Sequence, residues 1–210
     1  MKELVRTSQQ QRSRETQERI LNATARLLRS NTFESISIRR IVQEAEASIG
    51  SFYARFRDKD ALLPVLYAQS EEKLAEQIAQ LERAMADAGS LADAAELIAD
   101  HLVARYGDNP HLSRALFEYA TREPDAREAE DLSLQRMGQY GFLFEALKRF
   151  EKEITHPNPS RAVELGLYFV AVTGRTRLFY PRLPQARTLK ISRAELKTEL
   201  ARLLLGYLTC

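Results

Sequence analysis

The amino-acid sequence predicts an all-α protein of about nine helices, and three observations carry that prediction. Apolar residues recur at three- and four-residue spacing through nearly the whole chain, which is typical of amphipathic helices. No segment shows the apolar–polar alternation of a half-buried strand. Only 8 Gly and 7 Pro occur among the 210 residues, so few positions interrupt a helix. A chain of this length buries a sizeable core without disulfides or metal ions.

The helices are placed in order by their periodicity and their capping residues. Ile20, Ala23 and Leu27 give the first helix an apolar face. Ser37 is a natural N-cap for the second helix, and Asp58 is one for the fourth. The predicted helices run from residue 14, over 38–44, 48–56, 59–86 and 90–107, from residue 110, over 125–154 and 160–180, and from residue 192.

The two C-terminal helices show different surface patterns. The helix over 160–180 is apolar almost all round in its middle, so it must be covered on every side. Pro181 and Pro184 predict a loop after it. Ser192 and Glu195 then have capping-box spacing at the start of the last helix, which carries a stripe of leucines.

The charged residues are unevenly distributed, although the net charge of the chain is only +2. Residues 1–60 contain 12 Lys and Arg and 8 Asp and Glu, a net charge of +4. Residues 61–210 contain the remaining 19 and 21, a net charge of −2, and the two parts sum to +2. A basic N-terminal quarter indicates either a segment that binds anions such as DNA or an arginine-rich solvated surface.

The sequence also limits the location of the protein. Cys210 is the only cysteine, which excludes an internal disulfide and every zinc site built from several cysteines. The first 14 residues are polar and lack the apolar segment of an export signal. The most apolar stretch, residues 162–174, is too short to span a bilayer. We therefore expect a cytoplasmic protein without a membrane segment.

Residues 14–63 carry the most informative pattern, a helix followed by two short helices and the start of a long one. Two short helices joined by a tight turn are typical of the helix-turn-helix, whose second helix enters the DNA major groove. Ile41 and Val42 would pack inward from the first short helix, and Phe52 and Phe56 from the second. The side chains left on the outer face are Ser48, Ile49, Ser51, Tyr53 and Arg55. Groups of these types contact phosphates and base edges.

A motif of fixed spacing runs through the same stretch. It consists of residues 14–21, Phe33, residues 37–42, Ala45, residues 48–56 and residues 58–63. Its most specific part is Ser48-Ile49-Gly50-Ser51-Phe52-Tyr53-Ala54-Arg55-Phe56, followed by Lys59 and Leu62-Leu63. These segments, about 50 of the 210 residues, resemble the DNA-binding domain of the tetracycline-repressor (TetR) family.

The resemblance implies a DNA-binding domain over residues 1–60 and a helical ligand-binding and dimerisation domain over residues 61–210. Carried over by position, Ser48, Ile49, Ser51 and Arg55 read bases or contact nearby phosphates. By the same resemblance, Tyr53 and Lys59 contact the DNA backbone, and Gly50 is the small residue that allows the third helix to approach DNA closely.

Most of these positions also have a purely structural interpretation. Tyr53 is alternatively a core aromatic residue, and Ser48 caps the third helix whether or not it contacts DNA. Arg39 is either a clamp on the DNA backbone or a solvated side chain. Lys59 is alternatively no more than part of a helix start, although a cation there opposes the helix dipole and favours an external anion as its partner.

The turn departs from the family pattern at Glu46, where family members usually have Gly. A residue with a side chain in the left-handed conformation costs about 1 kcal/mol, so the turn is expected to be strained or reshaped. The Glu46 carboxylate also lies near the predicted DNA face, where it opposes phosphate. This departure leaves the exact DNA contacts open.

Residues 61–210 contain no pattern of catalytic groups. The three histidines form no His-x-x-x-His pair, and neither a Gly-rich phosphate loop nor a Gly-x-Ser-x-Gly elbow occurs. Glu96, Asp100 and His101 lie close in sequence, but a helix turns His101 away from the face of the two carboxylates. We therefore expect no enzyme activity, no metal site and no cofactor.

A ligand pocket in this part of the chain is inferred from the resemblance. The candidate lining residues are Phe117, Tyr140, Phe144, Tyr168, Phe169 and Arg175. For each aromatic residue plain core packing is the alternative, and a buried tyrosine hydroxyl needs a partner. Arg175 is a surface residue, a salt-bridged element, or a charge offered to an anionic ligand.

The sequence thus predicts a homodimeric repressor that binds a palindromic operator and is released by a small molecule. The apolar helix over 160–180 and the last helix would form a four-helix bundle with a second copy. A helical ligand- or partner-binding protein whose DNA-binding domain is vestigial is the second hypothesis, which Glu46 motivates. A helical enzyme is the third, and the missing catalytic groups disfavour it.

Overall fold

The computed structural model describes residues 2–122 and 140–210, and every regular element in these two ranges is helical. The α-helices of these ranges are α1 (Lys2–Leu27), α2 (Ile38–Glu44), α3 (Ile49–Tyr53), α4 (Leu62–Asp87), α5 (Leu91–Gly107), α6 (Pro110–Thr121), α7 (Gly141–Lys148), α8 (Pro159–Phe179), α9 (Pro184–Thr188) and α10 (Arg193–Leu208). A short 3₁₀ turn covers Glu151–Glu153. The predicted all-α fold, with an N-terminal helix-turn-helix and a helical remainder, is confirmed.

Several helix boundaries differ from the prediction. The first helix already begins at Lys2. The fourth begins at Leu62, because the Asp58 carboxylate accepts the backbone N–H of Ala61 at 2.9 Å and holds a turn before the helix. The predicted loop after residue 180 contains a short helix, α9, which begins at Pro184. Proline suits the first helical position because its missing N–H is not needed there.

The predicted helix over 125–154 is described only from residue 140 onward. In that part it is α7, followed by the 3₁₀ turn. Residues 125–139 of the predicted helix lie outside the described residues.

The N-terminal core is built by α1, α2, α3 and the first turns of α4. Ile20, Ile41, Phe52 and Leu62 are all fully buried in it. Ser37 and Ser48 cap α2 and α3, accepting the backbone N–H groups of Arg40 at 3.3 Å and Ser51 at 3.0 Å. These caps fix where each short helix begins, and so they fix the direction of α3.

The C-terminal core is centred on α5, α8 and α10, with α7 packed beside them. Leu91, Leu147 and Leu204 are among its most buried side chains. A Cβ atom at Gly166 would lie 2.9 Å from Cδ1 of Leu204. The glycine therefore lets α8 and α10 pack closely along their length.

Helices α4 and α6 connect the two cores. The N-terminal end of α4 contributes Leu63 to the first core, and its C-terminal end contributes Met85 to the second. Ala115 and Leu116 of α6 are buried in the N-terminal core. The side chain of Asn109, the N-cap of α6, donates to the carbonyl of Ala25 in α1 at 2.9 Å. Because α4 belongs to both cores, the domain boundary at residue 60 stays a prediction.

Among the described residues, no helix combines the length and the apolarity that a bilayer-spanning segment requires.

Candidate nucleic-acid interface and ligand cavity

Helix α3 presents one buried and one exposed face. Phe52 is fully buried and contacts Phe56, with ring centroids 5.4 Å apart. On the opposite side, Ile49 is 50% exposed and Tyr53 is 55% exposed, and Gly50 is also exposed. Tyr53 is therefore a surface aromatic residue, and Ile49, Gly50 and Tyr53 together form the exposed face of α3.

The hydroxyl groups of Ser48 and Ser51, at the start of α3, are joined by a hydrogen bond. Ser48 accepts the backbone N–H of Ser51 at 3.0 Å, and its own hydroxyl donates to the Ser51 Oγ at 2.9 Å. Ser48 is exposed and Ser51 is half-buried. Both hydroxyls are thus held at the surface, next to Ile49 and Tyr53.

The turn between α2 and α3 has the strained, left-handed backbone that a non-glycine residue at position 46 predicts. Glu46 has φ 49°, and among the described residues no other non-glycine residue has positive φ. The turn closes through the N–H of Ala47, which donates to the Val42 carbonyl at 2.9 Å. The Glu46 side chain is exposed, so its carboxylate adds a negative charge beside the exposed face of α3.

Arg55 fastens the end of α3 to α1. Its Nη1 donates to the Ser51 carbonyl at 2.7 Å, while Nε and Nη2 donate to the carbonyl and hydroxyl oxygens of Ser13 at 3.0 and 3.2 Å. With these three contacts, the Arg55 guanidinium holds α3 in position against α1. The Arg55 side chain is half-buried and lies beside the exposed face of α3.

Lys59 does not present a free ammonium group to an external anion. Its Nζ donates to the carbonyls of Phe33 at 2.7 Å and Ile36 at 3.0 Å, with Glu34 at 3.4 Å, and it lies 4.7 Å from the centre of the Phe33 ring. The loop between α1 and α2 thus supplies carbonyl oxygens to this ammonium group, and the contact of Lys59 with the DNA backbone stays a prediction. Arg39, in contrast, is exposed on α2.

A cavity of about 250 Å³ lies between α4, α5, α6 and α8. Three of the six predicted lining residues, Phe117, Tyr140 and Arg175, lie on its wall. The remaining wall residues are Tyr67, Ser70, Glu71, Lys73, Leu74, Gln77, Arg105, Tyr106, Ser113, Leu116 and Phe179. The wall therefore combines aromatic rings with several cations.

The other three predicted lining residues lie elsewhere. Phe144 borders a separate groove of about 170 Å³ between α7 and α8. Tyr168 is 61% exposed and Phe169 is 38% exposed, because the buried side of α8 is formed by Ala162, Gly166 and other small residues. A helix with apolar side chains all round does not reveal from sequence which side faces the cavity.

A buried histidine supports one wall of the cavity. His101 Nε2 and the Tyr140 hydroxyl are 3.1 Å apart. Burial, reinforced by the nearby positive charge of Arg105, lowers the pKa of His101 from 6.5 to about 4. At neutral pH the imidazole is therefore uncharged and shares a neutral hydrogen bond with Tyr140.

The sequence reasoning missed Arg105, which lies one helical turn after His101 on α5. The spacing in sequence could have identified it, because residues four apart lie on the same face of a helix and His101 marks the inner face of α5. In the part of the chain that the structure describes, no group of three or more His, Cys, Asp and Glu side chains is arranged to hold a metal ion.

A second, more open cleft of about 570 Å³ separates the loop after α1 from the segment that joins α8 and α9. At its edge, Arg114 Nε donates to Glu118 at 2.7 Å and the Tyr180 hydroxyl donates to the same carboxylate at 3.2 Å. The hydrogen bond from Arg114 to Glu118 raises the pKa of Arg114, and burial raises the pKa of Tyr180. This network joins α6 to the end of α8.

Comparison with known proteins gives one match to a family. Residues 20–66 match the sequence family described as bacterial regulatory proteins, tetR family. The matched range covers α2, α3 and most of the N-terminal core. No curated protein sequence matches the chain.

Several solved structures share the whole fold. The fatty acid degradation regulator FadR from Bacillus halodurans is 14% identical, with a TM-score of 0.60 over 91% of this chain and 95% of that chain. FadR from Bacillus subtilis in complex with stearoyl-CoA is 15% identical, with a TM-score of 0.59 over 90% and 98%. A regulatory protein of the tetR family from Rhodococcus RHA1 is 16% identical, with a TM-score of 0.60 over 93% and 97%.

Proposed function

Because residues 20–66 match the TetR family of bacterial regulatory proteins, we propose that the chain is a ligand-responsive repressor of this family that binds operator DNA through α3. The observation that carries the proposal is the exposed face of α3, with Ile49 and Tyr53 half exposed above a fully buried Phe52. An apolar side chain at 50% exposure, flanked by ordered hydroxyls, suits contact with base edges and phosphates. We expect the protein in the cytoplasm, where bacterial DNA lies.

The proposed operator is palindromic because the proposed repressor is a homodimer. Tyr168, Phe169 and Leu203 are exposed on α8 and α10 at 61%, 38% and 42%. A cluster of large apolar side chains on two neighbouring helices supports a four-helix interface with a second copy. Two α3 helices spaced by about 34–36 Å would then meet successive major grooves.

The proposed effector binds in the cavity between α4, α5, α6 and α8. Helix α6 supports this, because it contributes Phe117 to the cavity wall and buries Ala115 and Leu116 in the N-terminal core. A ligand that displaces α6 therefore acts on the packing of the N-terminal core, to which α3 also belongs. Regulation follows if the ligand binds one of two dimer states more tightly. That a protein of this fold holds stearoyl-CoA supports a ligand site in the helical domain.

A second candidate function is a ligand-binding protein with a vestigial DNA-binding domain. The exposed carboxylate of Glu46 beside α3 favours it, since negative charge opposes phosphate. The two candidates differ in whether the α3 face binds DNA at all. Neither function needs a catalytic step.

Selection from a random pool of double-stranded DNA tests the proposal. The full-length protein should enrich a palindromic sequence, and Tyr53→Ala or Ile49→Ala should weaken binding to it about tenfold or more, as expected for loss of a phosphate or base contact. Arg83→Gln removes an exposed charge of α4 away from α3, and it should bind as tightly as the unaltered protein. Failure to enrich any sequence would reject the repressor and favour the vestigial domain.

A further inference from the structure

The wall of the cavity between α4, α5, α6 and α8 carries an excess of positive charge. Lys73, which is exposed, Arg105 and Arg175 line it, and among the described wall residues Glu71 is the single carboxylate. Arg105 and Arg175 are both half-buried. Holding several cations around one small volume is unfavourable unless an anion joins them.

The described residues offer Arg105 and Arg175 no ion-pair partner, since no described carboxylate forms an ion pair with either. Arg114, which is half-buried on the neighbouring α6, has Glu118 at 2.7 Å. Within the described part of the chain, a half-buried arginine next to the cavity is thus paired, while the two arginines of the wall are not.

Arg175 is held in a geometry that leaves its donors available. Its guanidinium carbon lies 4.3 Å from the centre of the Phe117 ring. Stacking of this kind uses the flat face of the guanidinium. Among the described residues the N–H groups of Arg175 have no hydrogen-bond acceptor, and a stacked guanidinium keeps its edge donors available for an anion. A planar guanidinium with free edge donors binds a carboxylate through two parallel hydrogen bonds.

The rest of the wall sets the size and the character of the ligand. A volume of about 250 Å³ equals the liquid volume of about eight water molecules, which fits one ring or a short chain. Tyr106, Phe117 and Phe179 supply aromatic surface, with the Tyr106 and Phe179 rings 5.4 Å apart. A long acyl chain joined to coenzyme A does not fit in this volume.

We propose that the ligand of this cavity is a small organic carboxylate with an apolar or aromatic body, its carboxylate bound by Arg175 and its charge balanced by Arg105. The proposal rests on the proposed function, because it names the chemical class of the effector. The body of the ligand lies against Tyr106 and Phe179. The aromatic rings of the wall favour an organic anion with an apolar body over inorganic phosphate.

Binding of paired carboxylates and amides to the full-length protein tests the proposal. The probes are benzoate, phenylacetate and hexanoate, each compared by calorimetry with its neutral amide, and inorganic phosphate. We expect at least one carboxylate to bind about tenfold or more tightly than its amide. Arg175→Gln should remove that preference, and Arg175→Lys should restore part of it, since it keeps the charge but not the planar fork.

Arg83→Gln is the matched control for the arginine variants. Arg83→Gln removes a positive charge outside the cavity and should leave carboxylate binding unchanged. Circular dichroism of each variant without ligand verifies that the helices remain. If no carboxylate binds, if the amides bind equally well, if phosphate binds more tightly, or if Arg175→Gln keeps the preference, the inference is wrong.

The same samples separate this inference from the proposed function. Binding of the DNA enriched by selection is measured without any ligand. If the protein binds the selected DNA but shows no preference for a carboxylate, the proposed repressor function stands and the proposed carboxylate ligand is wrong. A carboxylate preference in a protein that enriches no DNA sequence keeps the inferred ligand class for the cavity and rejects the repressor.

Discussion

Glu46 shows how one residue affects both the fold and the proposed interface. Its φ of 49° places a side chain in a conformation that costs about 1–2 kcal/mol. Replacement by Gly removes that strain, although Gly adds about 0.5–1 kcal/mol of backbone entropy to the unfolded chain. We therefore expect Glu46→Gly to raise the free energy of unfolding by about 0.5 kcal/mol, measured by urea denaturation.

A second variant distinguishes the effect of the Glu46 charge from the effect of its backbone conformation. Glu46→Gln keeps the strained conformation but removes the carboxylate, so the free energy of unfolding should stay within about 0.5 kcal/mol. Both variants should bind DNA more tightly, and the gain should shrink as salt screens the lost repulsion. Equal DNA affinity in all three proteins would show that the carboxylate does not face phosphate.

His101 predicts a pH dependence of stability. Its pKa is about 4 in the folded protein, below its ordinary value of 6.5. Between these two values the unfolded chain binds a proton that the folded protein excludes, so stability falls as pH decreases. The loss between about pH 7 and about pH 5 should be about 2 kcal/mol.

The variant His101→Gln isolates this contribution, since glutamine can still share a hydrogen bond with Tyr140 but does not titrate. Urea denaturation at the two pH values gives the measurement. The unaltered protein should lose about 2 kcal/mol more than the variant on acidification. The same loss in both proteins would mean that His101 is not the group that titrates.

At the scale of elements, Lys59 connects the loop between α1 and α2 to the segment before α4. Its ammonium group donates hydrogen bonds to three carbonyl oxygens. A hydrogen bond to a charged group contributes about 1.5–3 kcal/mol to the free energy of unfolding. Lys59→Met should therefore lower the free energy of unfolding by about 2 kcal/mol. Arg29→Met, an exposed neighbour at the end of α1, should change it by less than about 0.5 kcal/mol.

Denaturation and DNA binding together decide the role of Lys59. If stability is unchanged while DNA affinity falls and depends less on salt, Lys59 contacts phosphate, as its position in the motif implies. We expect the opposite, because a lysine whose Nζ already has three acceptors has little need of an external anion.

The helix starts were predictable because they depend on neighbouring residues. Ser37 and Ser48 each cap the helix that the sequence assigns to them, whereas Asp58 holds a turn before its helix. Ser192 and Glu195 also form the predicted capping box. The acceptors of Lys59 lie 23 to 26 residues away in sequence, so no local pattern reveals them.

At the scale of the whole molecule, two cores share α4, while α6 contributes its buried residues to the N-terminal core. The sequence indicates the buried residues of the N-terminal core through helical spacing, and Ile41, Val42, Phe52 and Phe56 are buried as predicted. The cavity was harder to predict, because its wall comes from four helices that are distant in sequence. Aromatic residues such as Tyr168 line a cavity or face outward according to helix rotation, which packing between helices determines.

The affinity for a selected operator, compared with that for a scrambled duplex of equal length, tests the central claim most directly. Fluorescence anisotropy is measured with the full-length protein between about 50 and 200 mM salt. We predict binding to the operator about 10³-fold or more tighter than to the scrambled duplex, with a steep decrease as salt increases. Equal affinity for the two duplexes would contradict a sequence-specific regulator.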